Sequence, residues 1–197
     1  MKIKIITGLL ITNLFVFNVF ADNPSTLMLV DSCAGCHGTD GYSKGPAAPT
    51  IAGLNKEYLQ EQMQAFKDDS ITSTVMGRIA KGYSDEEISR MVDYFAKKAY
   101  ESARQYTDSK KVVLGRKLHN KYCKKCHEAN PYVTNEKDQG YAVIVAGQWA
   151  PYLQYVLRDF INEKRKNPGK MKTRLNKMYK KYGNDGVEAL AHFYGSR

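Results

Sequence analysis

The sequence predicts an all-α protein built from two similar halves in tandem, and three observations support this prediction. A five-residue motif, Cys-x-x-Cys-His, occurs at 33–37 and again at 123–127. The segments that follow the first motif recur in the same order after the second, 94 to 99 positions later. Apolar residues repeat at helical spacing, and no alternating strand pattern is present. We therefore expect two small helical domains related by a pseudo-twofold axis.

The amino terminus has the pattern of a cleaved export signal. Lys2 and Lys4 precede an apolar run from Ile5 to Phe20, which is followed by the small residue Ala21. Polar residues interrupt this run, and it is short for a membrane span of about 20 apolar residues. We predict that residues 1–21 are removed, that the mature protein is periplasmic, and that it keeps no integral membrane span.

The mature chain divides into two predicted domains, 22–104 and 105–197, because about 175 mature residues fit two small domains better than one large one. Three sets of residues repeat between them. The motifs are offset by 90 positions, the segment after the loop by 94, and the last helix by 99. The matched pairs after the motifs include Ala52-Gly53 with Ala146-Gly147, Tyr58 with Tyr152, Phe66 with Phe160, Ile88 with Val187, Met91 with Leu190, and Phe95 with Tyr194.

The same order of elements is predicted in each half. A helix leads into the motif, and in the second half it spans about 109–122. A loop follows, and then a middle helix, at 55–67 in the first half and 151–167 in the second. A methionine-containing segment leads to the closing helix, which begins in the first half at a capping box opened by Ser84. The polar stretch 100–108 is the predicted linker.

The two motifs indicate covalent attachment of two haem c groups. Two thiols one helical turn apart can each add to a haem vinyl group, and the next imidazole can then bind the iron. The predicted attachment residues are Cys33, Cys36, Cys123 and Cys126, and the predicted iron ligands within the motifs are His37 and His127.

Other uses of these cysteines fit the spacing poorly. A zinc ribbon expects its second Cys-x-x-Cys about 15 to 20 residues after the first, whereas 86 residues separate Cys36 from Cys123. A thioredoxin-like redox motif needs a βαβ context that the sequence lacks. A framework of disulfides would leave the two adjacent histidines without a role.

Each iron needs a sixth ligand or an open site, and methionine is a common partner of histidine in electron-transfer cytochromes. Met76 and Met171 lie in matching places, after the middle helix and before the closing one. We predict them as the distal ligands, with Met178 as the main rival to Met171.

Ligation of either iron by two histidines is not expected. His119 lies one helical turn before Cys123, so its ring could not reach the opposite face of the haem, and His192 aligns with Asp93 on the last helix. Both histidines are expected at the surface.

The two halves differ in charge. Residues 22–104 contain 9 Lys and Arg against 12 Asp and Glu, whereas residues 105–197 contain 19 against 8. A basic half suits an acidic protein partner or an anionic membrane surface. The alternative is a solvated basic face whose charge the haem propionates partly offset. Nucleic acid is not expected as a partner of an exported protein.

The chain resembles the dihaem cytochrome subunit of flavocytochrome c sulfide dehydrogenases along essentially all of its mature length. The most specific matches are 33–39, 73–83, 121–127 and 146–155. This resemblance implies two tandem class I cytochrome c domains and assigns the distal ligand of the first haem to Met76. The segment around residue 171 is a weaker match but lies in register, and the basic second half departs from the family.

The resemblance also implies a partner, a larger FAD-bearing subunit that oxidises sulfide. The FAD would lie only on that subunit, and this chain would pass electrons to a soluble cytochrome c or an oxidase without being catalytic alone. In class I cytochromes a proline carbonyl in the loop after the motif orients the haem histidine. Pro49 occupies that place in the first half, and Val143 is at the aligned position of the second.

Two other functions remain open from the sequence. One is a free-standing periplasmic dihaem cytochrome that shuttles electrons to a terminal oxidase. The other is a catalytic haem enzyme such as a peroxidase, in which one iron would lack its methionine. The partner protein distinguishes the first alternative from a sulfide dehydrogenase subunit, and cyanide binding at an open iron distinguishes the second.

Overall fold

A computed structural model describes residues 24–127, 129, 144–166 and 169–197. Within these ranges the chain forms helices and turns but no β-strand, which confirms the all-α prediction. The segment predicted as an export signal lies outside them. No helix in the described part of the chain is both long and apolar enough to cross a membrane.

The helices alternate with turns in the order that the repeat predicts. A 3-10 turn at Thr39–Gly41 follows the first motif, and a π-helical turn at His119–Cys123 leads into the second. The α-helices are α1 (Thr26–Asp31), α2 (Ala34–His37), α3 (Lys56–Lys67), α4 (Met76–Ala80), α5 (Asp85–Ala96), α6 (Ser109–Leu118), α7 (Ala150–Ile161) and α8 (Gly169–Gly195).

The first half has its own core, in which α5 packs against α1 and α3. The predicted capping box starts α5: the Ser84 hydroxyl accepts a hydrogen bond from the Glu87 amide at 3.2 Å, and the Glu87 carboxylate accepts one from the Ser84 amide at 2.7 Å. Ile88 and Phe95 then point inward from the same face of α5, as their spacing predicts.

The second half has a separate core, in which α8 packs against α6 and α7. Gly115 allows the close approach of α6, because a Cβ atom there would lie 2.0 Å from the Ala189 carbonyl oxygen and 2.5 Å from the Phe193 Cβ. The helical path of α8 is interrupted at Gly183, where φ is 54°. The largest side chains that are fully buried in this core are Leu118, Met178, Val187, Leu190 and Phe193.

In each half an Ala-Gly turn is hydrogen-bonded to the end of the closing helix. The Gly53 amide donates to the Phe95 carbonyl oxygen at 2.9 Å, and the Gly147 amide donates to the Tyr194 carbonyl oxygen at 2.8 Å. Both glycines have positive φ, 69° and 80°, which is the conformation that favours glycine. The repeat deduced from the sequence therefore corresponds to the same hydrogen bond in both halves.

The predicted linker at 100–108 has no helix and lies along the second half. The Tyr100 hydroxyl donates to the Ala146 carbonyl oxygen at 3.0 Å, and the Ala103 amide donates to the Gly147 carbonyl oxygen at 2.7 Å. The Arg165 guanidinium also donates across the halves, to the Gln62 side-chain oxygen at 3.2 Å. The two halves are thus in direct contact through both main-chain and side-chain groups.

Two helix boundaries differ from the predicted ones. The middle helix of the second half ends at Ile161 and not at 167, because Glu163 adopts a φ of 58° that breaks the helical path. The α-helix leading into the second motif ends at Leu118, and the π-helical turn carries the chain on to Cys123. Hydrophobic spacing does not report either change in backbone conformation.

Replacing Gly53 with alanine is expected to reduce the free energy of unfolding by at least about 2 kcal/mol. The new Cβ atom would lie 2.4 Å from the Tyr100 amide nitrogen, in a residue whose φ is 69°. Urea unfolding of the haem-loaded protein, followed by far-UV circular dichroism, measures the loss. Gly169→Ala is the matched control, because nothing lies within 4 Å of a Cβ at that position. Equal losses in the two variants would contradict this account of the turn.

Candidate haem sites

The first motif forms a single helical turn. The Cys36 amide donates to the Cys33 carbonyl oxygen at 3.3 Å, and the His37 amide donates to the same oxygen at 2.9 Å. The spacing of three residues places both thiols on one side of the turn. Cys33 is half-buried and Cys36 is exposed, and burial raises the pKa of the Cys33 thiol.

The imidazole of His37 is buried and held in one orientation. Its Nδ1 lies 2.8 Å from the Pro49 carbonyl oxygen, and only 9% of the residue is exposed. Since a carbonyl oxygen can only accept, Nδ1 carries the proton and Nε2 keeps its lone pair. Burial lowers the pKa of His37, and the hydrogen bond to Pro49 opposes this shift. The placement of Pro49 expected from the sequence is confirmed, and it leaves a neutral imidazole with Nε2 available to a metal ion.

The second motif forms a turn of the same kind. The Cys126 and His127 amides both donate to the Cys123 carbonyl oxygen, each at 3.0 Å. Burial raises the pKa of the Cys123 thiol to about 11, so the thiol is protonated at neutral pH. Val143, the predicted counterpart of Pro49, lies outside the described residues.

The expectation that His119 lies at the surface is wrong. Only 2% of the residue is exposed, and its Nδ1 lies 2.9 Å from the Tyr194 hydroxyl oxygen. The Tyr194 hydroxyl also interacts with the Cys123 thiol, and burial holds the pKa of Tyr194 well above its usual value. The close packing of α6 on α8 covers this face, and the π-helical turn lies over Phe193 and Tyr194.

The internal repeat aligns both residues of this buried pair with core residues of the first half. Ninety positions before His119 is Leu29, which belongs to the first core, and Tyr194 aligns with the buried Phe95. The second half therefore has a polar pair where the first half has an apolar one. His192, the other histidine expected at the surface, is half-buried, and its Nδ1 accepts a hydrogen bond from the Asp108 amide at 3.2 Å.

Both candidate distal methionines lie on helices, but Met171 belongs to α8 itself and not, as predicted, to a segment that precedes the closing helix. Met76 is the first residue of α4, and Met171 lies in the first turn of α8; both are half-buried. Met178, the rival to Met171, is fully buried in the second core, and a Cβ at Gly186 would lie 2.5 Å from its sulfur. Met91 is a core residue of the first half, as its alignment with a leucine predicts.

The surfaces beside the two motifs differ in charge at equivalent positions. Lys124 and Lys125 lie between the two cysteines of the second motif, Lys121 lies two residues before it, and all three are exposed. Ninety positions earlier, the first motif has Asp31, Ala34 and Gly35. The second motif therefore lies in a local excess of positive charge that the first motif lacks.

No three His, Cys, Asp or Glu side chains converge on a common metal-ion position within the described ranges. The two Cys-x-x-Cys pairs also belong to halves with separate cores. A zinc ribbon that uses both Cys-x-x-Cys pairs therefore has no support in the described ranges. Each motif stands in its own half, followed directly by its histidine.

Comparison with known proteins agrees with this arrangement. A family profile described as Cytochrome c matches residues 21–98. The cytochrome subunit of sulfide dehydrogenase from Chlorobaculum tepidum is 55% identical over 64 residues, which are 32% of this chain and 57% of that subunit. Cytochrome c-554(548) from Halomonas halodenitrificans is 31% identical over 70 residues, which are 34% of this chain and 84% of that protein.

A solved structure extends the likeness to nearly the whole chain. The crystal structure of reduced recombinant cytochrome c4 from Pseudomonas stutzeri has a TM-score of 0.70 and 25% identity, and the match covers 88% of this chain and 98% of that one. This neighbour supports the predicted fold of two tandem class I cytochrome c domains. The described helices, the two motif turns and these similarities lead to one conclusion: the chain belongs to the cytochrome c family.

Proposed function

We propose that this chain is a periplasmic dihaem c-type cytochrome that transfers electrons, with one haem c attached covalently to each half. The observation that carries the proposal is the geometry of the first motif. A buried histidine directly follows the Cys-x-x-Cys turn, its Nδ1 is held by Pro49 at 2.8 Å, and its Nε2 is available to iron. The second motif repeats the same turn.

The residues of the chain have distinct roles in this proposal. The sulfur atoms of Cys33 and Cys36 would hold one haem through thioether bonds, and those of Cys123 and Cys126 would hold the other. His37 and His127 would each supply a nitrogen ligand to an iron. A bound haem would supply an iron that gains and loses one electron. The Pro49 carbonyl keeps His37 in the tautomer that can bind.

Met76 and Met171 complete the two iron sites in this proposal. A thioether ligand opposite histidine raises the reduction potential relative to a second imidazole. If a histidine and a methionine bound each iron, no coordination position would be left at which a small molecule could be activated. The arrangement therefore favours electron transfer over peroxidase chemistry.

The partner that we propose is the FAD-bearing subunit of a sulfide dehydrogenase. The 55% identity to the cytochrome subunit of the Chlorobaculum tepidum enzyme supports this choice, although the matched segment spans 57% of that subunit. Oxidation of sulfide to the zero-valent level releases two electrons. A chain with two one-electron sites can accept both of them from a reduced flavin in successive transfers.

A free-standing dihaem cytochrome is the second candidate. It is favoured by the match to cytochrome c4, which covers 98% of that chain and both halves of this one. In this case the protein would shuttle electrons to an oxidase without a bound flavoprotein. The two candidates assign the same roles to the motif residues and differ only in the electron donor and the acceptor.

The exposed lysines beside the second motif indicate where an acceptor docks. Lys121, Lys124 and Lys125 create a basic surface beside Cys126, which is itself exposed. Opposite charge on a partner increases the rate of encounter and orients the two proteins. We therefore propose that an acidic soluble cytochrome c accepts electrons at the second half.

The proposed ligands can be tested by the near-infrared sulfur-to-iron band of the oxidised protein. Met76→Ala and Met171→Ala should each remove about half of its intensity, because each removes one of two thioether ligands. Met28→Ala is the control, since Met28 is 68% exposed on α1. Loss of half the band in Met178→Ala, with Met171→Ala unchanged, would reassign the second ligand to Met178.

The docking surface predicts a rate that depends on salt. Lys124→Glu/Lys125→Glu should lower the second-order rate of electron transfer to an acidic cytochrome c about tenfold at low ionic strength, because attraction becomes repulsion. The difference should shrink as salt screens the charges. Stopped-flow absorbance measures the rate. Lys44→Glu/Lys97→Glu makes the same change of charge on exposed residues of the first half; an equal effect there would contradict a specific surface.

The choice of donor can be tested by reconstitution. Mixing the haem-loaded chain with the FAD-bearing sulfide dehydrogenase subunit and sulfide should reduce both haems rapidly, because the flavin delivers electrons one at a time. Sulfide with the chain alone should reduce the haems slowly, since in this proposal the oxidation of sulfide takes place on the FAD-bearing subunit. A chain that does not bind the flavoprotein and instead passes electrons directly to an oxidase would support the free-standing cytochrome.

A further inference from the structure

We propose that Gln148, a residue of the second half, is a positioning residue for the proximal histidine of the first haem site; this inference rests on the proposed role of His37. The side chain of Gln148 is 3% exposed, and its amide makes two hydrogen bonds to the main chain of Thr50. Its Oε1 accepts from the Thr50 amide at 2.9 Å, and its Nε2 donates to the Thr50 carbonyl oxygen at 2.9 Å.

The first of these bonds acts on the peptide unit that orients His37. The carbonyl group of Pro49 and the amide group of Thr50 belong to the same planar peptide bond. A continuous chain of hydrogen bonds therefore runs from His37 Nδ1 to the Pro49 oxygen, through this peptide, and from the Thr50 nitrogen to Gln148 Oε1. A hydrogen bond to the amide polarises the carbonyl and strengthens it as an acceptor.

Gln148 satisfies the buried main-chain amide of Thr50, from which its side-chain oxygen accepts a hydrogen bond. Thr50 is 2% exposed, so its amide would be buried without a partner if the glutamine oxygen were absent. Oε1 also accepts from the Trp149 amide at 3.2 Å, which fixes the orientation of the side chain. The neighbouring Trp149 indole donates to the Ser43 carbonyl oxygen at 3.3 Å and holds the same loop.

The residues that align with Gln148 and Thr50 through the internal repeat do not form an equivalent pair of hydrogen bonds. Ninety-four positions before Gln148 is Leu54, and ninety-four positions after Thr50 is Ile144. Ile144 packs against the first core, of which Leu54 is a member, so this side of the interface is apolar. The glutamine thus acts on one of the two proximal sites and makes the two haem environments unequal.

A stronger hydrogen bond at Nδ1 makes the imidazole a more basic ligand. A more basic ligand favours the ferric state, so Gln148 lowers the reduction potential of the first haem relative to a protein without this amide. The effect crosses from one half to the other, because the residue that exerts it belongs to the second half.

The test uses Gln148→Met in the haem-loaded protein, which keeps the length of the side chain and removes both hydrogen bonds. Three changes are expected. Hydrogen exchange of the Thr50 amide becomes about tenfold faster, the NMR signal of the His37 Nδ1 proton shifts, and the reduction potential of the first haem rises. The potential of the second haem stays unchanged.

Gln105→Met is the matched control. Gln105 lies at the same interface, where its Nε2 donates to the Gln148 and Gly195 carbonyl oxygens at 3.0 and 3.2 Å and its Oε1 accepts from the Ala150 amide at 2.7 Å. It makes no hydrogen bond to the Thr50 peptide. Equal changes of the first potential in both variants would overturn the proposal, because they would indicate a general loosening of the interface.

Other outcomes separate this inference from the proposed function. Faster exchange at Thr50 with an unchanged His37 signal and potential would overturn the role of Gln148 and leave haem binding intact. If His37→Ala kept the wild-type spectrum of the first haem, the proposed ligand itself would be wrong. If Gln148→Met does not fold, exchange in the wild-type protein decides: an unprotected Thr50 amide overturns the proposal, and protection at the level of α5 supports it.

Discussion

The arrangement of both halves depends on one hydrogen bond, from the glycine amide of each Ala-Gly turn to the last aromatic residue of the closing helix. In the first half it joins Gly53 to Phe95, and in the second it joins Gly147 to Tyr194. Each bond joins the Ala-Gly turn to the helix that contains more buried apolar residues than any other described helix of its half. The turn in the second half also presents its carbonyl to the linker and places Gln148 at the interface.

Around this shared framework the two halves have diverged in chemistry. The first half has an apolar Leu29 and Phe95 where the second has His119 and Tyr194, bonded to each other at 2.9 Å. The surfaces beside the motifs differ in the same sense, with Asp31 near the first and Lys121 near the second. Buried polar groups and nearby charges both affect the properties of an iron site. Two halves with the same fold therefore provide different surroundings for the two proposed haem sites.

The sequence predicted those features that depend on neighbours along the chain. The capping box at Ser84, the middle helix that begins after Asn55 and the inward face of α5 follow from spacing and from local hydrogen bonding. The contact of Pro49 with His37 was also expected, because it lies within one loop. The end of α7 at Ile161 was not, since the positive φ at Glu163 leaves no mark in the hydrophobic pattern.

The features that the sequence did not reveal require contact between distant segments. His119 was expected at the surface because it lies one helical turn before the motif, and its burial depends on the close approach that Gly115 allows between α6 and α8. The pairing of Gln148 with Thr50 joins residues 98 positions apart. An amide side chain that matches the hydrogen-bonding groups of one buried peptide cannot be recognised before the interface is known.

The pairing of Gln148 with Thr50 also has a consequence for the order in which the molecule is completed. A chain is synthesised from its amino terminus, and the domains of a larger protein generally fold as units in that order. The first half can bury its core as soon as it emerges, but the Thr50 peptide acquires its partner only when the second half has folded against it. The hydrogen bonds around the first proximal site are therefore complete only after both domains have folded and packed against each other.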